Sequence, residues 1–492
     1  MKRMKKIMAL MLAAIMMMAM SVTAFAAEGA TGIRTLTVNA NGGQDLTGQT
    51  INLYKLFDVT ESKSGETTNY AYTVNTASGY KNALVSVLTE AGKTVTVGSK
   101  DEEFAKAVFE IGAKDSKEVQ SFANKFTTYA LTNGLAATKT SGKITGENKT
   151  SFEFTGLDAG YYLVYVTGGK EIQSSLVTVD ATTNTVNLKT EAPSITKTAD
   201  KTTVNIGNVV TYTVTGSIPD TTGYDKYQYI IHDELSAGLD FVNDAIGTAL
   251  GEGATTVNVT VAFTDNTLTV AGTKPTTATL DTANNREMSL DLSEWVRDNQ
   301  ANKGKEFTVI YYAKVNKDAV VTEKNNAQLE YGNKPGETTK TTPSEAKTPT
   351  YPLDILKKKA GTGTGEGALE KLAGAKFKLY KDRVDEANVI KISETAVKGN
   401  YVVNPTSATT EFESVANIDG VDYNLRVNGL AEGTYYLVET KAPDGFNKLT
   451  APVEIKITKS TDTDVNNWTI SKAGTVETDK IIDIENSTGS LL

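Results

Sequence analysis

Along most of the chain, apolar and polar residues alternate with a period of two, the pattern of strands with one buried face. Arg34–Asn39 (RTLTVN) and Ile51–Val59 read this way, as do Phe152–Phe154, Tyr161–Val166, Leu176–Val179 and Val186–Leu188. Two stretches break the alternation with helical spacing: Phe104, Ala107, Val108 and Ile111, then Val119, Phe122, Ala123, Phe126 and Ala130. Asp115 or Ser116 stands where a cap for the second is expected. From Ile195 to Tyr331 the pattern is again that of strands, with one short helix predicted over Ser293–Asn299, Ser293 capping it and Trp295 anchoring it. Strands resume at Tyr351 and run to about Asn486. Charged and Pro-containing Lys189–Pro193 and the Thr/Ser/Pro/Lys stretch Gly336–Pro349 punctuate the series. The pattern predicts a mainly all-β chain of three tandem β-sandwich domains, over 27–191, 192–349 and 350–492, the first with helical insertions.

A repeat relates the outer two. Leu46-Thr-Gly48-Gln-Thr-Ile51-Asn-Leu53-Tyr54-Lys55 matches Leu372-Ala-Gly374-Ala-Lys-Phe377-Lys-Leu379-Tyr380-Lys381. Gly156-Leu157-Asp-Ala-Gly160-Tyr-Tyr-Leu-Val164 matches Gly429-Leu430-Ala-Glu-Gly433-Thr-Tyr-Tyr-Leu-Val438, with one inserted Thr. The middle segment lacks both patterns and is expected to be a different sandwich.

The 492 residues suit three domains of ordinary size. Residues 1–26 read as a secretory leader: Lys2, Arg3, Lys5 and Lys6, an apolar run from Ile7 to Met20, and Ala24-Phe25-Ala26 before the expected cut. That run is shorter than the ~20 residues that span a bilayer. Loss of the leader's four basic residues takes the net charge from −9 to −13. An acidic chain without basic blocks argues against nucleic-acid binding. An exported chain with no Cys must rely on core packing or another covalent link.

The catalytic inventory is thin. There is no Cys, which excludes thiol catalysis, and His232 is the sole histidine, so a Ser-His triad or His-rich metal site is not expected. Asp462-Thr-Asp464-Val-Asn466 opens like a calcium loop, but Asn467 and Ala473 stand where Gly and Glu are needed, so a polar turn is expected. Gly361-Thr-Gly-Thr-Gly365 lacks a G-K-[ST] ending and reads as a hairpin loop. No cofactor and no metal are expected.

Instead, polar residues follow apolar ones onto inward faces. Leu353, Ile355 and Lys357 share a face of one strand, Tyr435, Leu437 and Glu439 of another, and Ile482, Ile484 and Asn486 of a third. Lys358 and Lys359 are neighbours, so Lys357 is chosen on parity. A buried carboxylate needs a partner or must stay protonated. In the middle segment Ile195 and Lys197 share a face, as do Tyr229, Ile231, Asp233 and Leu235, and Asn325, Ala327, Leu329 and Tyr331. Asn326 is the alternative to Asn325 but points to the opposite face.

Tyr435–Phe446, YYLVETKAPDGF, resembles the E-box of pilins, and the third domain resembles the collagen-adhesin B-type domain of Gram-positive surface proteins. SITKTADK, YIIHDELSAGLDF and NNAQLEYGN resemble the isopeptide-forming D2 domain of pilins. The resemblance implies immunoglobulin-like sandwiches and intramolecular Lys–Asn isopeptide bonds: Lys357–Asn486 promoted by Glu439, and Lys197–Asn325 promoted by Asp233. No bond is expected in the first domain, where Tyr165 stands in place of Glu439 and RTLTVN has no Lys. The resemblance further implies that Lys189, at the first boundary, is the lysine that attacks the sortase acyl-enzyme of the next subunit, although Asn187-Leu188 precede it where the usual motif has Tyr-Pro. It implies a C-terminal sorting signal too. The sequence ends at Ser490-Leu491-Leu492 without one, so a longer precursor is expected, a naturally released protein being the alternative. The implied protein is a non-enzymatic shaft subunit of a covalent surface pilus serving adhesion and colonisation. Its partners would be copies of itself, a pilus-specific sortase, accessory pilins and a host receptor the sequence does not name. The rival reading is a monomeric wall-anchored adhesin or accessory pilin.

Overall fold

The computed structural model describes residues 32–42, 44–170, 172–180, 185–221, 226–332, 338–363 and 367–489. The expected leader at 1–26 and the end of the Gly361–Gly365 loop, from residue 364, lie outside them. Strands are the dominant regular structure of the described residues, far outnumbering helices, as the alternation predicts. The strands form three pairs of sheets, and no strand is shared between pairs.

In the first pair, Arg34–Asn39 runs antiparallel to Ser151–Leu157 and parallel to Thr185–Asn187. Facing it is a five-stranded sheet centred on Thr50–Ser64 and Gly160–Val166. Successive residues of these central strands enter two different cores. Ile51, Leu53, Val164 and Val166 pack toward Leu36 and Val38. Tyr54, Phe57, Leu163 and Tyr165 pack under the helices. Burial on both faces explains why YYLVYV is almost continuously apolar rather than alternating. The cover is three helices: α1 (Tyr80–Glu90), α2 (Asp101–Phe109) and α3 (Lys117–Thr132). Ser116 caps α3 by accepting from Val119 N at 3.2 Å. Helix α1 was not anticipated from the sequence, although Tyr80, Ala83, Leu84, Val87 and Leu88 carry helical spacing and all are buried.

The middle pair sets a five-stranded sheet around Val209–Ser217 and Glu306–Val315 against a seven-stranded one around Gln228–Leu235 and Lys324–Gly332. Two expectations change here. In α4 (Ser293–Asp298) the N-cap is Leu292, and Ser293 is the first helical residue; its Oγ accepts from Tyr229 N at 2.9 Å instead. The expected linker Gly336–Pro349 holds two strands, Thr338–Lys340 and Ser344–Lys347, both paired with Lys324–Gly332. As short edge strands they bury little, so their composition is that of a linker.

The third pair repeats the first. Tyr351–Lys359 runs antiparallel to Leu425–Leu430 and parallel to Ile481–Asn486, and the opposite sheet is built on Lys376–Lys381 and Gly433–Lys441. The sequence repeat sits at equivalent places. Gly48 and Gly374 both turn with positive φ (80° and 83°) into the strand that pairs with the YYLV strand.

One apolar core runs continuously through the middle and third sandwiches, from Ile195 to Ile484. Ile206 N donates to Gly429 O at 2.9 Å, and Ala431 N donates to Asn205 Oδ1 at 2.6 Å. Gly429 has φ 101°, and a Cβ there would lie 2.3 Å from Ile206 Cδ1, so only glycine allows this approach. No helix among the described residues is long and apolar enough to cross a membrane.

Candidate cross-linking sites

In the third sandwich the inward alternation delivers Lys357, Glu439 and Asn486 to one buried point. Lys357 and Asn486 come from neighbouring parallel strands, with Lys359 opposite Asn486. Lys357 is therefore one inward step behind Asn486, about 6.5 Å along the strand, a gap its long side chain covers. Glu439 comes from the opposite sheet, following buried Tyr435 and Leu437. The Lys357 and Glu439 side chains have no solvent exposure, and Lys357 Nζ lies 3.6 Å from Glu439 Oε1. The other carboxylate oxygen, Oε2, accepts from Asn486 Nδ2 at 3.0 Å and from Leu449 N at 2.7 Å. Asn486 Nδ2 also donates to Asn447 O at 2.7 Å. Glu439 thus bridges the amine and the amide. Asn486 Oδ1 has no hydrogen-bond partner, an unusual state for a buried oxygen. Burial lowers Lys357 to about 8 against the opposing pull of Glu439, which raises the share of nucleophilic amine. Lys358 points the other way, toward Asp483 and Glu485, and Lys359 pairs with Glu370.

The middle set is assembled differently. Lys197 lies on Thr196–Ala199 in the five-stranded sheet, while Asp233 and Asn325 lie on adjacent strands of the seven-stranded sheet, where Leu235 is opposite Asn325. Lys197 Nζ is ion-paired to Asp233 Oδ2, both side chains being wholly buried. Tyr311, inward-facing on Glu306–Val315, completes a triangle: its hydroxyl donates to Asp233 and accepts from Lys197 Nζ at 2.8 Å. The ammonium also lies 4.5 Å from the Tyr212 ring centre. Burial lowers Lys197 to about 8, opposed by Asp233, and burial raises Asp233, opposed by Lys197, Tyr311 and Asn325. Both shifts favour a neutral amine beside a neutral acid. Asn325 is fully buried and lies close enough to act on Asp233 and Tyr311, yet neither atom of its amide makes an aligned hydrogen bond. Asn326 faces outward, onto a groove it shares with His232. His232 itself is bonded to Ser289 and Glu330.

Tyr311 was not anticipated from the sequence. Its signal is present: in EFTVIYYAKV the inward row Phe307, Val309, Tyr311, Ala313, Val315 carries a single hydroxyl. The two sites also differ in reach. The third spans the first and last strands of its sandwich. In the middle, Asn325 lies on a strand that two edge strands follow, so its set does not join first strand to last.

Each site has the groups for amide exchange. In such an exchange the lysine ammonium would give its proton to the carboxylate, the neutral amine would attack the Asn side-chain carbonyl carbon, and the acid would protonate the departing nitrogen. One C–N bond would form and one would break, with ammonia leaving. The folded core holds the reactants together.

In the first sandwich the register puts Val166, not Tyr165, in the place of Glu439: Val166 pairs with Ile51 as Glu439 pairs with Phe377. Tyr165 faces the helices, and its buried hydroxyl donates to Asp220 Oδ2, in the middle sandwich between Val209–Ser217 and Gln228–Leu235. Asp220 is almost fully buried and also lies 3.4 Å from Lys303. Lys189 belongs to neither set; it is half-exposed, with Nζ 2.9 Å from Asp115 Oδ1. The Asp462 turn is held by its own residues, Asp462 accepting from Ser460, Asp464 N and Asn467.

Residues 362–472 match the family described as the SpaA prealbumin-like fold domain. Among solved structures, the chain is similar to the T6 backbone pilin of Streptococcus pyogenes serotype M6, at 16% identity and a TM-score of 0.41, over 93% of this chain and 98% of that one. It is similar to the major pilin SpaD of Corynebacterium diphtheriae, at 17% identity and a TM-score of 0.39, over 93% and 98%. The group B streptococcus pilus 2b backbone protein shares 23% identity at a TM-score of 0.37, over 60% of this chain and 98% of that one. No curated protein matches the chain.

Proposed function

From a chain that carries a SpaA-type prealbumin-like domain at residues 362–472, we propose a structural shaft subunit of a covalently assembled Gram-positive surface pilus, stapled internally by self-formed isopeptide bonds. Its domains are the sandwiches over 27–191, 192–349 and 350–492. The observation that carries the reading is the pair of buried Lys–carboxylate–Asn sets, 197/233/325 and 357/439/486. Burying one lysine–carboxylate pair is costly, and two such pairs beside under-bonded amides are hard to account for by packing alone. Lys189 is the proposed acceptor for a sortase-bound subunit, being half-exposed at the end of the first sandwich. The work is mechanical: force entering a sandwich at its first strand passes through a covalent bond rather than through a hydrogen-bonded ladder. No free substrate is turned over. Copies of the chain, a pilus-class sortase, accessory pilins and a host receptor are the partners, and the cell surface is the location.

The test is intact mass with mapping of cross-linked peptides. Loss of two ammonia masses, with Lys197 joined to Asn325 and Lys357 to Asn486, supports the reading. A mass equal to the unmodified sequence sinks it. Replacing Lys189 by Ala in the full-length precursor should abolish polymer ladders in cells with the cognate sortase. Unchanged ladders would point to the monomeric adhesin instead.

A further inference from the structure

We propose that Asp115 is a positioning residue for Lys189, holding the amine at one point on the surface and staying paired with it as the nitrogen gains charge during attack. This rests on the reading of Lys189 as the linkage lysine.

The backbone that presents Lys189 is pinned on both sides. Leu188 N donates to Asn39 O at 2.9 Å, Lys170 N to Glu191 O at 2.7 Å, Thr190 Oγ1 to Gln173 O at 3.0 Å, and Ala192 N to Gln44 Oε1 at 2.7 Å. The side chain alone is free to move, and its amine is tethered by Asp115, 74 residues away in sequence, at 2.9 Å. Asp115 is just as fixed. It precedes the α3 cap Ser116 and sits in the left-handed region, φ 64°, which Asp tolerates better than most residues. The charged groups acting on its carboxylate are Lys189 and Lys114, and both favour the ionised form. The anchor is therefore a carboxylate at the pH of the cell surface.

An amine that attacks an acyl-enzyme becomes a cationic tetrahedral nitrogen. The new C–N bond forms, the acyl–enzyme bond breaks, and the ammonium's two lost protons go to solvent and to the departing enzyme nucleophile. A carboxylate 2.9 Å from that nitrogen stabilises the charge as it develops. Before attack the same pair favours the unreactive ammonium, so the two effects partly cancel. Because both side chains are well exposed, the net effect is modest, about two- to fivefold in kcat/KM.

The test uses the chain as amine acceptor for a pilus-class sortase and a synthetic sorting-motif peptide, with the adduct counted and located by mass. Asp115→Ala and Asp115→Asn should lower kcat/KM for the acceptor about two- to fivefold at low salt. Asp115→Glu should recover most of it, and the difference should shrink as salt rises. Thermal melting of these variants should match the parent. If Lys189→Ala abolishes the adduct while the Asp115 variants react at or above the parent rate, the positioning proposal falls and the linkage reading stands. A loss that Glu does not rescue, or that salt does not alter, also overturns it as a merely structural effect. If Lys189→Ala is still modified at the parent rate, the linkage reading itself falls.

Discussion

Replacing Asn486 by Ala removes the electrophile of the third sandwich and leaves Lys357 and Glu439 in place. With the bond formed, the chain between positions 357 and 486 is a closed loop of roughly 130 residues, which stabilises the fold by about 5 kcal/mol through the unfolded chain's lost freedom. Asn486 Nδ2 donates to Glu439 Oε2 and Asn447 O, but Oε2 keeps its bond from Leu449 N and Asn447 is exposed to water, so the Ala variant orphans neither acceptor. The variant should therefore lose about 5 kcal/mol, the loop-closure term. For a sandwich of this size that lowers the melting temperature by on the order of 20 °C. Calorimetry should show the third transition moving down by that amount, and intact mass should show one fewer ammonia loss. A variant that melts within a few degrees of the parent, beside a parent whose 357 and 486 peptides are unlinked, would refute the reasoning.

Tyr311→Phe removes a hydroxyl bonded to both Lys197 and Asp233; the middle bond should form roughly tenfold or more slowly on refolding, and an unchanged rate by timed mass analysis would make Tyr311 a packing residue. Tyr165→Phe should loosen the junction between the first two sandwiches by about 2 kcal/mol, seen as faster amide exchange at Asp220, whose N–H bonds Gly169 O at 3.2 Å; unaltered exchange there would dismiss the contact. Asn325→Ala leaves Lys197 unreacted, with a folded pKa lowered to about 8 against ~10.4 when unfolded. Between those values the unfolded chain holds the proton and the folded chain does not, so this group's contribution to stability rises with pH from about 8 upward and is flat below. Denaturant midpoints at pH 7 to 9.5, compared with the same variant also carrying Lys197→Met, should diverge upward with pH; a falling difference would contradict the assignment.

The alternation of side chains was enough to place Lys357, Glu439, Asn486, Lys197, Asp233 and Asn325 on inward faces, because a strand's period is fixed at two and the apolar neighbours reveal which face is buried. The repeat foretold that the first and third sandwiches share a topology, since equal turn and strand patterns place equal demands on the backbone. What alternation cannot report is which inward residues meet. Lys197 and Asn325 belong to opposite sheets, whereas Lys357 and Asn486 belong to neighbouring strands of one sheet; only sheet packing and register decide this. Tyr311 is one inward tyrosine among several until the sheets face each other. Thr338–Lys340 and Ser344–Lys347 read as linker because edge strands bury too little to leave an apolar trace. Asp115 reaches Lys189 only because the helices fold back over the first sandwich, a contact between positions 74 residues apart that no local pattern encodes.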